Sequence, residues 1–337
     1  MITYETDSWL GLLFTFKGSV LTHIWKRVLA ATIFAALVTL LMDMDTIHAL
    51  YVALIDADAP KELLDPKHLS ITTLPFTLIG TALAIFLGFR NNSSYDRFWE
   101  GRKLWGRMIN LTRTLTRQTM TLVAPERGGA LDEDAAAEAR AEFEHELVYR
   151  LVAYVHAFRH HLRQESDFED CRPFMPEGEL DVAIAAPNTP IHMLHRMGER
   201  YAEAWRAGWV ETMHLPTLES SLLIITDIQG GCERIQKTPI PFAYTVLMHR
   251  IVALYCFALP LGIYTTVGDF TPLVVLIISY SLLGLDAIGQ ELEEPFGTEP
   301  NDLPLSTICR MLEIECRQRL GESALPAPLQ PVDHQLI

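Results

Sequence analysis

One stretch limits the fold of this chain more than any other: Ser70 to Arg117. It opens with an uncharged run, SITTLPFTLIGTALAIFLGF, that ends at Phe89. It continues without a break signal into RNNSSYDRFWEGRKLWGRMINLTRTLTR. The first half is long enough to span a bilayer. An apolar half joined to a basic, aromatic half predicts one long helix leaving a membrane and entering the cytosol. Gly80, Ala84 and Gly88 recur every four residues and stack on one helix face. Small side chains there let a neighbouring helix approach closely. Thr77, Thr81, Ile85 and Phe89 form a second row, ~100° round the helix. If several copies surround an axis, one row packs and the other faces the hole.

Three further apolar runs accompany it. The predicted membrane helices are 24–42, 70–89, 241–267 and 271–287. Gly268-Asp269-Phe270 is a short turn, so the last two form an antiparallel pair. Lys26 and Arg27 before the first run, Arg90 to Arg107 after the second and Lys237 before the third put both termini in the cytoplasm. The loop 43–68 then lies outside, and Leu10 to Leu21 is apolar enough to lie along the membrane surface. The first and fourth runs are nearer core-helix length, so a large soluble helical protein offers the competing reading. The basic flanks and a mean hydropathy of +0.16 favour the membrane. Met1 to Phe16 lacks the basic start of a cleavable leader.

Cytosolic helices are predicted over about 90–235 and 288–320, with 1–323 as one integrated unit and a Pro-rich, disordered tail at 324–337. Amphipathic patterns mark Glu142 to Leu162, Met193 to Trp209, Leu218 to Ile228 and Leu305 to Leu320. Pro125 to Glu133 and Cys171 to Pro190 read as loops. Gly230-Gly231 reads as a helix-ending turn and not a phosphate loop. The net charge of −15 argues against nucleic acid as a partner. Five cysteines without a C-x-x-C pair predict reduced thiols and no disulfide framework. No nucleophile–base set or dinucleotide fingerprint appears, so no enzyme is expected.

Three blocks carry a family resemblance: GFRNNSSYDRFWEGRKLWG (Gly88 to Gly106), GGCERIQKTPIPFAY (Gly230 to Tyr244) and EEPFGTEPNDLPL (Glu293 to Leu305). In this order they resemble the bestrophin family in its bacterial form, over roughly Leu10 to Leu320. The resemblance implies an all-α membrane protein assembled as a homopentamer around the second membrane helix, passing ions passively. It places a pore neck on Thr81, Ile85 and Phe89. An apolar ring repels water and blocks ions until it widens, and the Thr81 hydroxyl would make its end of the neck wetter. The competing role for this row is lipid or helix contact. The resemblance also implies a cytosolic constriction upstream of the Gly-Gly block. Met213 is the candidate, with core packing as the alternative. In animal relatives the third block holds calcium. Here Glu299 and Asp302 match two acidic positions, while Pro300 and Asn301 interrupt the run. A solvated acidic face with Asp302 capping the following helix is the favoured reading, so no cofactor is expected.

Two histidine groups remain. His156 and His160 are four apart, with His161 adjacent. That spacing suits a metal, but no third ligand is evident. His249 and Arg250 interrupt the third apolar run, where an ionisable residue faces protein or water; an acid such as Asp286 is one candidate partner, and a position near the cytoplasmic boundary is the alternative. The expected partners are membrane lipid, permeating ions and copies of the same chain. The resemblance implies chloride or another anion, whereas the acidic balance would favour cations if those acids line the vestibule. A carrier would show paired repeats and broken helices, which are not found. A membrane scaffold is the other competitor.

Overall fold

The computed structural model describes residues 18–42, 72–129, 131–332 and 335–336. The predicted loop 43–68, the stretch Leu10 to Phe16 and Ser70 and Ile71 lie outside them. Among the described residues the fold is all-helical, with two isolated β-bridges, Val123 to Val210 and Val332 to Gln335. The helices are α1 (Leu21–Met42), α2 (Thr73–Leu122), α3 (Glu133–Arg163), α4 (Glu179–Ala185), α5 (Thr189–Arg206), α6 (Leu215–Lys237), α7 (Phe242–Val267), α8 (Thr271–Glu293) and α9 (Leu305–Arg319). Helix α2 runs unbroken for 50 residues, as the Ser70 to Arg117 pattern predicts. Two compact units are present, each discontinuous in sequence. The first holds Arg97–Thr238 and the chain from Glu294. The second holds the described residues up to Asp96 together with Pro239–Glu293.

In the second unit, α1, α7 and α8 pack on one another. Their core is Ile24, Val28, Ala31, Ala35, Met248, Val252, Cys256, Leu259, Val275 and Leu283. Small residues permit close approach: Ala31 and Ala35 on α1 are fully buried, and a Cβ on Gly284 would meet Ile24 and Val20 at 3.8 and 3.9 Å. Outside this core, Leu29, Ile33, Leu37, Leu254 and Ile277 are exposed. A soluble monomer rarely carries such an apolar surface. Three helical stretches are long and apolar enough to cross a membrane: Leu21–Met42, Thr73–Leu122 and Phe242–Glu293. The third contains α7 and α8, joined by the 3-10 turn Gly268–Phe270. The chain is a membrane protein.

In the first unit the central element is α3. Asp132 caps it by accepting from the Ala135 N–H at 2.8 Å. Its pattern predicts one apolar face, yet every residue from Leu151 to His160 is buried. Burial on all sides requires each polar residue there to find a partner. Arg150 bonds Glu179 and Glu146, and Arg159 bonds Asp170 at 2.6 Å. Trp105 of α2 stacks on Phe158, with ring centroids 5.4 Å apart.

Two loop readings change. The predicted loop 171–190 contains α4 and part of a 3-10 turn, Glu169–Phe174. Gly230 and Gly231 do not end a helix; both lie within α6. A Cβ on Gly231 would sit 3.0 Å from the Leu104 side chain, so this glycine serves close packing. Among the described residues after Ala324 there is no helix, but they are attached: Arg317 donates to Ala324 O at 3.0 Å and Gln335 to Thr298 O at 3.1 Å. Cys171, Cys232, Cys256, Cys309 and Cys316 are all free and buried. Burial pushes the thiols of Cys171, Cys232, Cys309 and Cys316 up.

Glu233 on α6 accepts from Asn188 at 2.9 Å, Gln229 at 2.8 Å and Lys237 at 3.0 Å. Burial would raise its pKa, but these donors hold it at about 2, below an ordinary 4.5. Because the folded value is the lower one, its stabilisation is present above pH 4.5 and lost as pH falls through about 2. Glu233→Gln should therefore lower the thermal midpoint of the purified protein at pH 7, by on the order of 2 kcal/mol of stability. The gap to the native protein should narrow below pH 4.5 and close only as pH falls through about 2. Trp105→Ala should cost about 3–5 kcal/mol through the cavity it leaves, read from the same melting curves.

Candidate functional site

The apolar half of α2 belongs to the second unit, and its buried seam is Phe76, Leu83, Leu87 and Arg90. Phe76 fills the space left by Gly262 on α7. Tyr244 Oη donates to Phe86 O at 3.2 Å. This seam orients the helix. Thr77, Thr81, Ile85 and Phe89 fall off it and are exposed, with Ile85 at 53% and Phe89 at 63%. The Thr81 hydroxyl donates to Thr77 O at 2.8 Å, so its hydrogen is already engaged within the helix.

The small-residue row is partly in contact within the single chain. Gly80 does meet a neighbour, since a Cβ there would strike the Tyr255 side chain. Ala84 and Gly88 are exposed, and a Cβ on Gly88 would meet nothing within 4 Å. In the single chain the bulky seam packs α2, because α7 supplies the matching glycine.

At the end of the seam lies a polar cluster. Arg90 is 1% exposed and its guanidinium meets the Asp286 carboxylate. The other oxygen of Asp286 pairs with His249 Nδ1 at 2.5 Å. The predicted His249–Asp286 pair is present, whereas Arg250 is exposed. Arg90 looked like part of the basic flank; its burial was missed, because an arginine following an apolar run ordinarily reaches for water. Its Nε and Nη2 have no hydrogen-bond partner among the described residues, which leaves Asp286 as its counter-charge.

The remaining candidates lie in the first unit. Met213 sits on the turn before α6 at 83% exposure, so core packing is not its role. Asp302 is buried and accepts from Glu299 N–H at 2.7 Å, while its own N–H donates to Glu299 O at 3.1 Å. It caps this turn and not α9, whose N-cap residue is Pro304. His156 and His160 both face Asp170, at 3.4 and 2.7 Å, and His161 faces Glu233 at 3.1 Å. No cluster of three metal-ligating side chains occurs among the described residues.

The three sequence blocks meet in this unit. Gly101 of the first lies against Phe296 and Pro295 of the third, and Leu104 lies against Gly231 of the second. Arg97 donates to the last carbonyls of the α6 region, Ile235 O at 2.5 Å and Thr238 O at 2.6 Å. Such a cation at a helix C-terminus satisfies open acceptors.

Comparison with known proteins agrees with this packing. Residues 1–318 match the family model described as bacterial/fungal bestrophin protein. The voltage-dependent anion channel-forming protein mll4386 of Mesorhizobium japonicum is 38% identical over 333 residues, 99% of this chain and 96% of its own. That named YneE in Escherichia coli K12 is 34% identical over 336 residues, covering 99% of each. Among solved structures, a bacterial bestrophin homologue from Klebsiella pneumoniae superposes with a TM-score of 0.73 at 31% identity. It covers 89% of this chain and 100% of that one. The chain belongs to the bacterial and fungal bestrophin family.

Asp286→Asn should leave Arg90 buried without its counter-charge and cost about 3–5 kcal/mol. Fluorescence-detected melting of the detergent-solubilised protein measures this. Arg90→Met combined with Asp286→Leu should recover most of the loss, since the uncompensated charge goes with the pair.

Proposed function

We propose that this chain is one subunit of a homopentameric, anion-conducting channel whose pore is lined by α2. Thr81, Ile85 and Phe89 form its apolar neck. One observation carries the reading: an unbroken helix holds its seam of Phe76, Leu83, Leu87 and Arg90 inward and leaves Thr81, Ile85 and Phe89 uncovered at four-residue spacing. Chloride or another small anion is the cargo, in keeping with relatives named voltage-dependent anion channel-forming proteins. The relatives' names also fit a protein that is not an enzyme.

In the same reading the spans are α1, the apolar half of α2, α7 and α8, in the bacterial inner membrane, with both termini cytoplasmic. Met213, projecting from its turn, forms the cytosolic constriction. Calcium has no part in it. The Asp302 carboxylate is committed to the Glu299 N–H, and the donor set does not fit a hard cation, which needs six to eight oxygens. A cation-selective channel of the same architecture is the second reading, and the net charge of −15 favours it.

Purified protein reconstituted in planar bilayers under a KCl gradient separates the two. The reversal potential should move toward the chloride equilibrium value; movement toward potassium replaces the first reading with the second. Ile85→Ala with Phe89→Ala should raise conductance about tenfold, equivalent to ~1.4 kcal/mol off the dewetting barrier. Conductance unchanged by both substitutions would place the barrier elsewhere.

A further inference from the structure

A cleft of about 390 Å³ lies in the first unit. Its walls come from four places: Tyr149, His156 and Arg159 of α3; Ser306, Arg310, Glu313 and Arg317 of α9; Asp170, Pro173 and Phe174 of the 3-10 turn; and Pro326 and Leu329 of the C-terminal segment. The volume falls within the range of small-molecule sites.

The floor is cationic and short of acceptors. His156 Nε2, Arg159 Nε and Arg310 Nε are buried without a hydrogen-bond partner among the described residues. His156 and Arg159 are 4% and 8% exposed. Both His156 Nε2 and Arg310 Nε ion-pair with the same oxygen, Glu313 Oε2, at 3.6 and 3.4 Å, without a registered hydrogen bond. Buried donors left this way are costly and mark a place where an acceptor belongs.

Three arginines line the cleft against two carboxylates; Arg317 is also paired with Glu322 at 2.8 Å, so Arg159, Arg310 and His156 are the cations that face Asp170 and Glu313. Those carboxylates are engaged: Asp170 by Arg159 and His160 at 2.6 and 2.7 Å, Glu313 by Arg317 at 3.2 Å. Burial would lower the His156 pKa, but its contacts with Asp170 and Glu313 raise it, which adds cationic character. The rim is of the opposite kind. Phe174 stacks on His156 at 5.9 Å between centroids and meets Tyr149 edge-on at 5.3 Å, with Pro173, Pro326 and Leu329 beside them.

We propose that this cleft binds a small organic carboxylate, its head group on Arg310, Arg159 and His156 and its apolar body against Phe174 and Leu329. A guanidinium with open N–H groups suits a planar carboxylate. The aromatic and proline rim suits a body without charge. An inorganic anion would satisfy the floor and leave the rim unused.

Benzoate is the probe, titrated calorimetrically into the purified full-length protein in detergent, with inorganic phosphate as the comparison. The expected result is saturable binding of one benzoate per chain, weakened at least tenfold by Arg310→Gln and severalfold by Leu329→Asp. Gel filtration and melting curves check that each variant is folded. Leu329→Asp changes the rim alone, so it serves if Arg310→Gln does not fold. No saturable binding, equal binding by a folded Arg310→Gln variant, or phosphate binding that exceeds benzoate would each overturn the proposal and leave the cleft as a hydrated ionic joint.

Discussion

Within the membrane-spanning unit, the arrangement depends on a single carboxylate. Hydrocarbon does not accept an unpaired charge, and a cation buried there must bring its counter-ion. Asp286 on α8 meets Arg90 of α2 and His249 of α7. The apolar contacts among these helices are many but non-directional, since lipid tails are as apolar as the side chains. A charged hydrogen bond is directional. It therefore sets the rotation of α2 about its own axis, and that rotation decides whether Ile85 and Phe89 lie outside the packed seam. Phe76 in the space at Gly262 fixes the same helix further along.

The other unit meets the problem of buried polarity by a different route. Helix α3 is buried at every position from Leu151 to His160, yet its buried residues include Arg150, His156, Arg159 and His160. Carboxylates from separate segments answer them: Glu179 from α4 and Asp170 from the 3-10 turn. The Asp170 carboxyl illustrates the balance. Burial would raise its pKa, but hydrogen bonds from His156 and His160 and the Arg159 charge hold it well below the usual range. A polar core of this type is stable only when complete, because each member left without its partner carries a desolvation cost.

Much of this fold was legible in the sequence because membrane helices obey simple rules of length and polarity. The third run was expected over 241–267 and α7 spans Phe242–Val267. The cost of a polar residue in an apolar run called for a partner or a boundary position for His249, and Asp286, one of the acids considered, is that partner. What was not legible depended on partners distant in sequence. Arg90 looked like any flanking cation until Asp286, 196 positions away, was placed beside it. Gly231 resembled a turn because the signal for close packing, the Leu104 side chain, lies on another helix. The enclosure of α3 was hidden by its own charges, whose acids lie on α4 and a 3-10 turn that read as loop. For the row Thr81, Ile85 and Phe89, spacing identified a shared helix face, and its assignment to a pore rests on the family resemblance and remains part of the proposed function.

The five cysteines have a chemical consequence. Oxidation, alkylation and disulfide exchange all proceed through the thiolate at an accessible sulfur. Here every sulfur is enclosed, and for the four outside the spans burial also favours the protonated form. The folded protein should thus be indifferent to the thiol oxidants and reductants around it. A single thiol introduced on its surface would react alone, so native cysteines need not be removed before α2 is mapped with sulfhydryl reagents.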